Sequence, residues 1–289
     1  MERLIIDTDP AVGVPLRDID DGLAIAIALC SPELDVIGIT VTHGNVDQKR
    51  AYQSARRIIK AMGREDVPVI AGAKSRKDSA NRRPTDASQF IANKQAVDPG
   101  DLSILALGPL SNLAAAERQA PGTLRAAKRI VAMGGAVDRP GNIPPLMIAE
   151  FNFWKDPHAA ALVLREANDL TLIPFDLTSK VIFGWKELYR LRDSVFEFPR
   201  WLYRNTRAWH ALNCLLMWRG GFCPHDPLAA AFLIHPEWYE TETVALSVVE
   251  SGVNAGQVVR DPAGTPVRVA FGVDSRKFLD FLLDSLIPC

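Results

Sequence analysis

No apolar run in this 289-residue chain approaches the ~20 residues a membrane-spanning helix needs. The longest candidate, residues 22–30, is far too short, so no membrane partner is expected. A basic excess is missing as well. Lys and Arg total 33 against 34 Asp and Glu, a net charge of −1. A general nucleic-acid binder needs a cationic surplus, so no nucleic-acid partner is expected. Cysteine is scarce: Cys30, Cys214, Cys223 and Cys289 show no CxxC spacing, which leaves a zinc site unsupported. A chain of this length can bury a large core without cross-links, so the four are read as reduced thiols in the cytoplasm. The opening residues carry acid at Glu2 and Asp7 and do not read as a signal peptide. There is no internal repeat, low-complexity tract or linker, and one domain spanning residues 1–289 is expected.

What is present is ordinary globular composition, with 48% apolar and 23% charged residues. Short β-branched runs at 3–7, 35–42, 67–71, 102–107, 129–133 and 170–175 predict strands. Between and beyond them, residues 20–31, 46–62, 110–116, 156–166 and 274–286 have helical spacing. This alternation predicts an α/β fold, a mostly parallel central sheet flanked by helices in a Rossmann-like open arrangement. Residues 72–97 are polar and read as a surface loop, a lid or a plain connector, followed by a short helix.

Ligands of such sheets bind beyond the carboxyl ends of the strands. Asp7 and Asp9 end the first strand, His43–Asn45 follow the second, and glycines follow at 108 and at 134–135. These ends should share one cleft. Asp7, Asp9, Asp18, Asp20 and Asp21 lie within fifteen positions and repel one another unless a cation binds. Oxygen donors without His or Cys favour Ca²⁺ or Mg²⁺. Asp20 and Asp21 also suit a helix start, where acids complement the dipole. His225-Asp226 opens an apolar run, and an Asp there is commonly a cap. In 149–154, Glu150 and Asn152 would share one face of an extended segment, with Phe151 and Phe153 opposite. A half-buried edge strand explains that spacing equally well. Trp209, His210, Trp218 and Phe222 precede His225 and would serve either as helix core or as a stack for an aromatic ring.

Taken in order, these residues resemble the inosine-uridine preferring nucleoside hydrolase family. The resemblance begins with Asp7-Thr8-Asp9-Pro10 and Asp20-Asp21, and continues through Thr42-His43-Gly44-Asn45. Gly108-Pro109-Leu110-Ser111-Asn112-Leu113, Met133-Gly134-Gly135 and Gly141-Asn142 follow. Ala149-Glu150-Phe151-Asn152, Asp156-Pro157, Asp176-Leu177-Thr178, His225-Asp226 and Gly256–Asp261 complete it.

The resemblance implies a Ca²⁺-dependent nucleoside N-ribohydrolase, a homodimer or homotetramer, acting on a small-molecule ribonucleoside. Asp9, Asp21, Asp226 and the backbone carbonyl of Leu107 would hold the metal, with two ribose hydroxyls and a water. Asp9 would be the general base toward that water. Asp20 and Asn152 would bind the 2′- and 3′-hydroxyls, Asn142 and Glu150 the 5′ end, and Asn45 would lie near metal and sugar. His225 would face the departing base and protonate it. Three departures stand out. An insert at 12–19 separates Asp9 from Asp20, and Asp18 within it is a competing ligand. Asn142 and Glu150 are spaced more widely than in the family, around Pro144-Pro145. No His lies between His43 and His158, where many members carry a base-binding loop His. Two other readings compete: a binding protein that kept the metal site and lost turnover, and a haloacid dehalogenase-type phosphatase with Asp7 as nucleophile.

Overall fold

Leu4, Ile5 and Ile6 fill the middle of the first strand, β1 (Glu2–Thr8), whose last five residues are buried, as a central parallel strand covered on both faces requires. It runs into α1 (Asp20–Cys30), apolar all round and buried along nearly its whole length. After β2 (Leu34–Val41) comes α2 (Gln48–Ala61), which turns Ala51, Ala55, Ile58 and Ile59 inward and is capped by the Asp47 carboxylate. β3 (Val69–Ala71), α3 (Arg76–Ala80) and α4 (Asp86–Val97) precede β4 (Leu102–Ala106), α5 (Ser111–Gln119) and β5 (Ile130–Met133). Then come α6 (Phe151–Lys155), α7 (Pro157–Glu166), β6 (Leu170–Ile173) and α8 (Phe175–Thr178). A small ribbon of β7 (Phe183–Gly184) and β8 (Gly221–Phe222) brackets α9 (Trp185–Arg192) and α10 (Glu197–Met217). α11 (His225–Ile234), β9 (Tyr239–Val248), β10 (Val258–Arg260), β11 (Thr265–Val273) and α12 (Ser275–Leu286) close the order. This computed structural model describes residues 1–80, 84–217 and 220–287.

The nine-stranded sheet has the order β10-β9-β11-β6-β5-β4-β1-β2-β3. Strands β3 to β11 through the middle are parallel, and β9 and β10 add an antiparallel edge. The expected open α/β domain is therefore present. The strand order reverses between β1 and β4, so the crevice beyond their carboxyl ends is the topological switch point. Two apolar clusters cover the sheet. One joins α1, α11 and α12, and the other joins α5 and α7.

Four local expectations are corrected. The run 170–175 is not all strand: β6 stops at Ile173, and Pro174, which lacks an N–H for the ladder, leads into α8. Residues 149–154 are not extended. Glu150 caps α6, accepting from the backbone amides of Asn152 and Phe153. The segment 72–97 is largely helical, and α4 is a full twelve residues held by a Thr85–Ser88 capping box. Finally, Cys30 is disulfide-bonded, not a thiol, whereas Cys214 and Cys223 form no disulfide. Among the described residues no helix is long and apolar enough to cross a membrane.

Candidate active site

The carboxyl end of β1 forms the floor of the switch-point crevice. Asp7 is fully buried there, and its Oδ1 accepts from the Thr40 hydroxyl at 2.6 Å and the Asn112 amide at 2.7 Å. Burial pushes its carboxyl up to about 7, against those two hydrogen bonds. A nucleophile so enclosed has no substrate to reach, and the phosphatase reading fails on that geometry. Asp9, two residues on, turns toward the β2–α2 loop. Its Oδ2 accepts from the Asn45 backbone amide, while its buried Oδ1 has no partner. Two glycines make room for this carboxylate. A Cβ at Gly44 would lie 1.9 Å from Asp9 Oδ2, and one at Gly108 2.6 Å from Oδ1. Burial, then the neighbouring Asp21 charge, raises the Asp9 carboxyl well above its ordinary value.

Two helix N-termini supply the remaining acids. Asp20 and Asp21 open α1, and Asp226 lies in the first turn of α11. The Asp226 amide donates to Asp20 Oδ2 at 3.2 Å, tying the two helix starts together. Asp21 Oδ1 accepts from the Thr8 hydroxyl and from the Asp9 amide at 3.2 Å, and its Oδ2 accepts from Asn45 Nδ2 at 3.2 Å. Ligand oxygens of Asp20, Asp21 and Asp226 all lie within 4.8 Å of one another, and all three residues are buried. Burial, and after it the charges of neighbouring carboxylates including Asp18, raise all three carboxyls, Asp21 to about 6. Such a cluster is costly without a countercharge. An oxygen-only donor set with a further unsatisfied oxygen at Asp9 fits a hard divalent cation.

The opposite wall comes from β4, β5 and α6. Asn152 lines the crevice, and its Nδ2 donates to the Leu107 carbonyl at 2.9 Å and the Met133 carbonyl at 3.2 Å, which fixes the amide in place. Glu150 accepts from the Gly135, Asn152 and Phe153 amides; burial raises its carboxyl above the ordinary value against those hydrogen bonds. Asn142 is held by its amide on the Ala149 carbonyl, and its Oδ1 is buried without a partner. His225 Nδ1 lies 2.7 Å from the Thr178 hydroxyl, and its ring packs 5.7 Å from Phe175.

These residues enclose a cleft of about 220 Å³. Of the residues singled out from sequence, Asp20, Asn45, Leu107, Asn142, Glu150, Asn152, His225 and Asp226 line it. Asp9 and Asp21 lie just beneath its surface. The compact acid triad includes Asp20, where the resemblance had placed Asp9 among the ligands. Asp18 also reaches the cleft, with its Oδ1 accepting from the Ile19 and Asp20 amides. Phe151 was assigned to the far face and instead lines the cleft, because a helical turn places it differently from a strand. Thr178, within Asp176-Leu177-Thr178, was not linked to His225 from the sequence. Among the described residues none of Trp209, His210 and Phe222 lines the cleft, and Trp209 packs partly buried against the core. His210 is fully buried edge-on to Trp185 at 4.4 Å and to Phe222 at 5.7 Å, so it is core. Trp218 lies outside the described residues.

The family model described as inosine-uridine preferring nucleoside hydrolase matches residues 4–280. A probable uridine nucleosidase of Oryza sativa subsp. japonica is 30% identical, over 99% of this chain and 97% of its own. A solved plant nucleoside hydrolase is 30% identical with a TM-score of 0.90, covering 100% of this chain and 99% of that one. A purine-preferring ribonucleoside hydrolase from Gardnerella vaginalis is 28% identical with a TM-score of 0.87, covering 99% and 98%.

Proposed function

The chain belongs to the inosine-uridine preferring nucleoside hydrolase family and is a hydrolase of N-glycosyl bonds, and from that premise we propose that it is a Ca²⁺-dependent ribonucleoside N-ribohydrolase. The observation that carries the reading is the convergence of Asp20, Asp21 and Asp226 beside the unsatisfied Asp9 Oδ1, at the switch point of the sheet. In this reading Asp9, Asp21, Asp226 and the Leu107 carbonyl hold the cation. Asp20 lies at the cleft edge, with both oxygens already accepting backbone amides. When bound, Ca²⁺ offsets the buried negative charge and lowers the pKa of water beside it.

Asp9 takes the proton of the attacking water as general base. The buried carboxylates stabilise positive charge as it develops on the sugar ring in an oxocarbenium-like transition state. Asp20 and Asn152 hold the 2′- and 3′-hydroxyls, Asn142 and Glu150 the 5′ end, and Asn45 orients Asp9 and Asp21. His225 faces the leaving base and supplies its proton, with Thr178 fixing the imidazole through Nδ1. A single displacement inverts the anomeric carbon. The relatives carry names for uridine and for purines at nearly equal identity, so the substrate class is the ribonucleoside and the base is the open variable.

A panel of inosine, adenosine, guanosine, uridine and cytidine, assayed for free ribose, tests this. Ribose release from at least one, lost in Asp9→Asn, is expected. A folded protein that binds nucleosides and releases ribose from none would contradict the reading and favour a binding protein.

A further inference from the structure

A second concavity of about 460 Å³ opens beside the first, and the two share Asn45 and Phe151 as common wall. Three cations reach it from segments far apart in sequence: Arg17, Lys74 and Lys155. Arg17 arrives on the 12–19 insert, Lys74 directly after β3, and Lys155 at the end of α6. Among the described residues none of the three is ion-paired. Lys155 Nζ lies 5.0 Å from the Phe151 ring and 5.5 Å from the Trp154 ring, with no carboxylate on it. Asp47, which also lines the hollow, and Asp78 nearby are already engaged. Asp47 caps α2 and pairs with Arg50 at 3.3 Å, and Asp78 accepts from the Lys74 and Ser75 amides.

Free cations converging on one hollow repel each other until an anion binds. An Arg fork with two ammonium groups suits an oxyanion, which takes the fork's paired N–H groups and the point charges together. The hollow lies next to a site built for a ribosyl group, so the anion belongs to a molecule seated in that site. We propose that this second pocket is an oxyanion subsite of the same cleft, taking a phosphate monoester or a carboxylate carried by the ribosyl substrate. The proposal rests on the ribonucleosidase reading above. His225 and Asp226 do not line the second pocket. Phe151, next to Glu150, does, which favours the sugar end as the bearer of the charge.

Two arms distinguish the source of the charge. Calorimetric binding of ribose 5-phosphate against ribose reads the sugar end. Hydrolysis of orotidine against uridine reads the base end. The account expects the charged partner to be favoured about tenfold at low salt in one arm, with the advantage shrinking as ionic strength rises. The double variant Arg17→Gln/Lys74→Gln, altered at two exposed side chains, loses that advantage and keeps uridine turnover. Equal behaviour of charged and neutral partners in both arms overturns the subsite. So does an advantage that survives the double variant. Failure of the wild type to hydrolyse any nucleoside strikes the ribonucleosidase reading instead, and the ribose 5-phosphate arm still decides the subsite.

Discussion

Asp9 is held by contacts that leave no room for one extra carbon. A methyl at Gly44 would lie 1.9 Å from its Oδ2, and the Asn45 amide on that oxygen fixes the rotamer from the same side. Gly44→Ala must displace the carboxylate, since the added Cβ would also lie 2.7 Å from Asp9 Cγ. A fall of about 100-fold or more in kcat/KM is expected, with a far-ultraviolet spectrum like that of the wild type. Wild-type kinetics in that variant would remove Asp9 from the chemistry. His225 offers a second check. With its Nδ1 on the Thr178 hydroxyl at 2.7 Å, Thr178→Val should lower kcat more than it raises KM and displace the pH profile, and Thr178→Ser should restore both. Identical profiles in Val and Ser variants would mean that the hydroxyl does not position the ring. Asp7, Asp9 and Asn45 are legible in the sequence because they end or follow strands, whereas Asp20, Asp21, Glu150, Asn152 and Asp226 lie at helix starts and take their roles from the family resemblance. Their supports are not legible. Thr178 and Asn112 reach their partners across 47 and 105 positions, and no local pattern encodes such a contact.

At the level of elements, the strands read between residues 3 and 173 and the helices read at 20–31, 46–62, 156–166 and 274–286 form close to their expected bounds, whereas the longest helix, α10, is not read and short segments depart from their pattern. Residues 151–155 are too few to separate a helical turn from an extended run, and the turn is decided by Glu150 capping its own helix. The strands β9, β10 and β11 are likewise absent from the sequence reading, which finds no strand beyond residue 175, so the antiparallel edge they build is a finding of the structure. The insert could be placed but not shaped. Ala11 and Val12 pack into the core, Val12 against Gly22 of α1, and the following residues swing out with Gly13 and Leu16 at positive φ. That excursion brings Asp18 to the cleft and Arg17 to the neighbouring pocket, and Asp20 and Asp21 then open α1. Glu2 joins three strand beginnings. Its carboxylate accepts from Ser103 at 2.6 Å, from Arg129 at 2.8 Å and from Lys128 at 3.1 Å. Burial alone would raise its carboxyl, but hydrogen bonds from Arg129 and Ser103 outweigh it and hold the group down at about 2. The folded value lies below the unfolded one, so the stabilisation is present above pH ~4.5 and is lost as pH falls toward 2. Glu2→Gln should cost about 2 kcal/mol in urea unfolding at pH 7, a difference that narrows at pH 3. A gap of equal size at both pH values would show that the carboxylate's charge is not what stabilises the junction.

For the whole molecule, the sheet topology and the charge distribution agree. Strand order reverses between β1 and β4, two helix N-termini meet beside that reversal, and buried acids gather there although the chain as a whole is nearly neutral. A fold that concentrates carboxylates in its interior is stabilised by whatever cation neutralises them. Ca²⁺ should therefore raise the melting temperature, and more strongly at pH 7.5 than at pH 5.5. The raised Asp9, Asp20, Asp21 and Asp226 carboxyls retain protons as pH falls, and those protons compete with the cation. A shift of the same size at both pH values would argue against cation binding at these residues. The most direct measurement is ribose release from a turned-over nucleoside before chelation, after chelation, and after Ca²⁺ is restored. The account predicts activity, its loss, and its recovery, with the protein folded throughout. Undiminished ribose release from fully metal-depleted protein would contradict it.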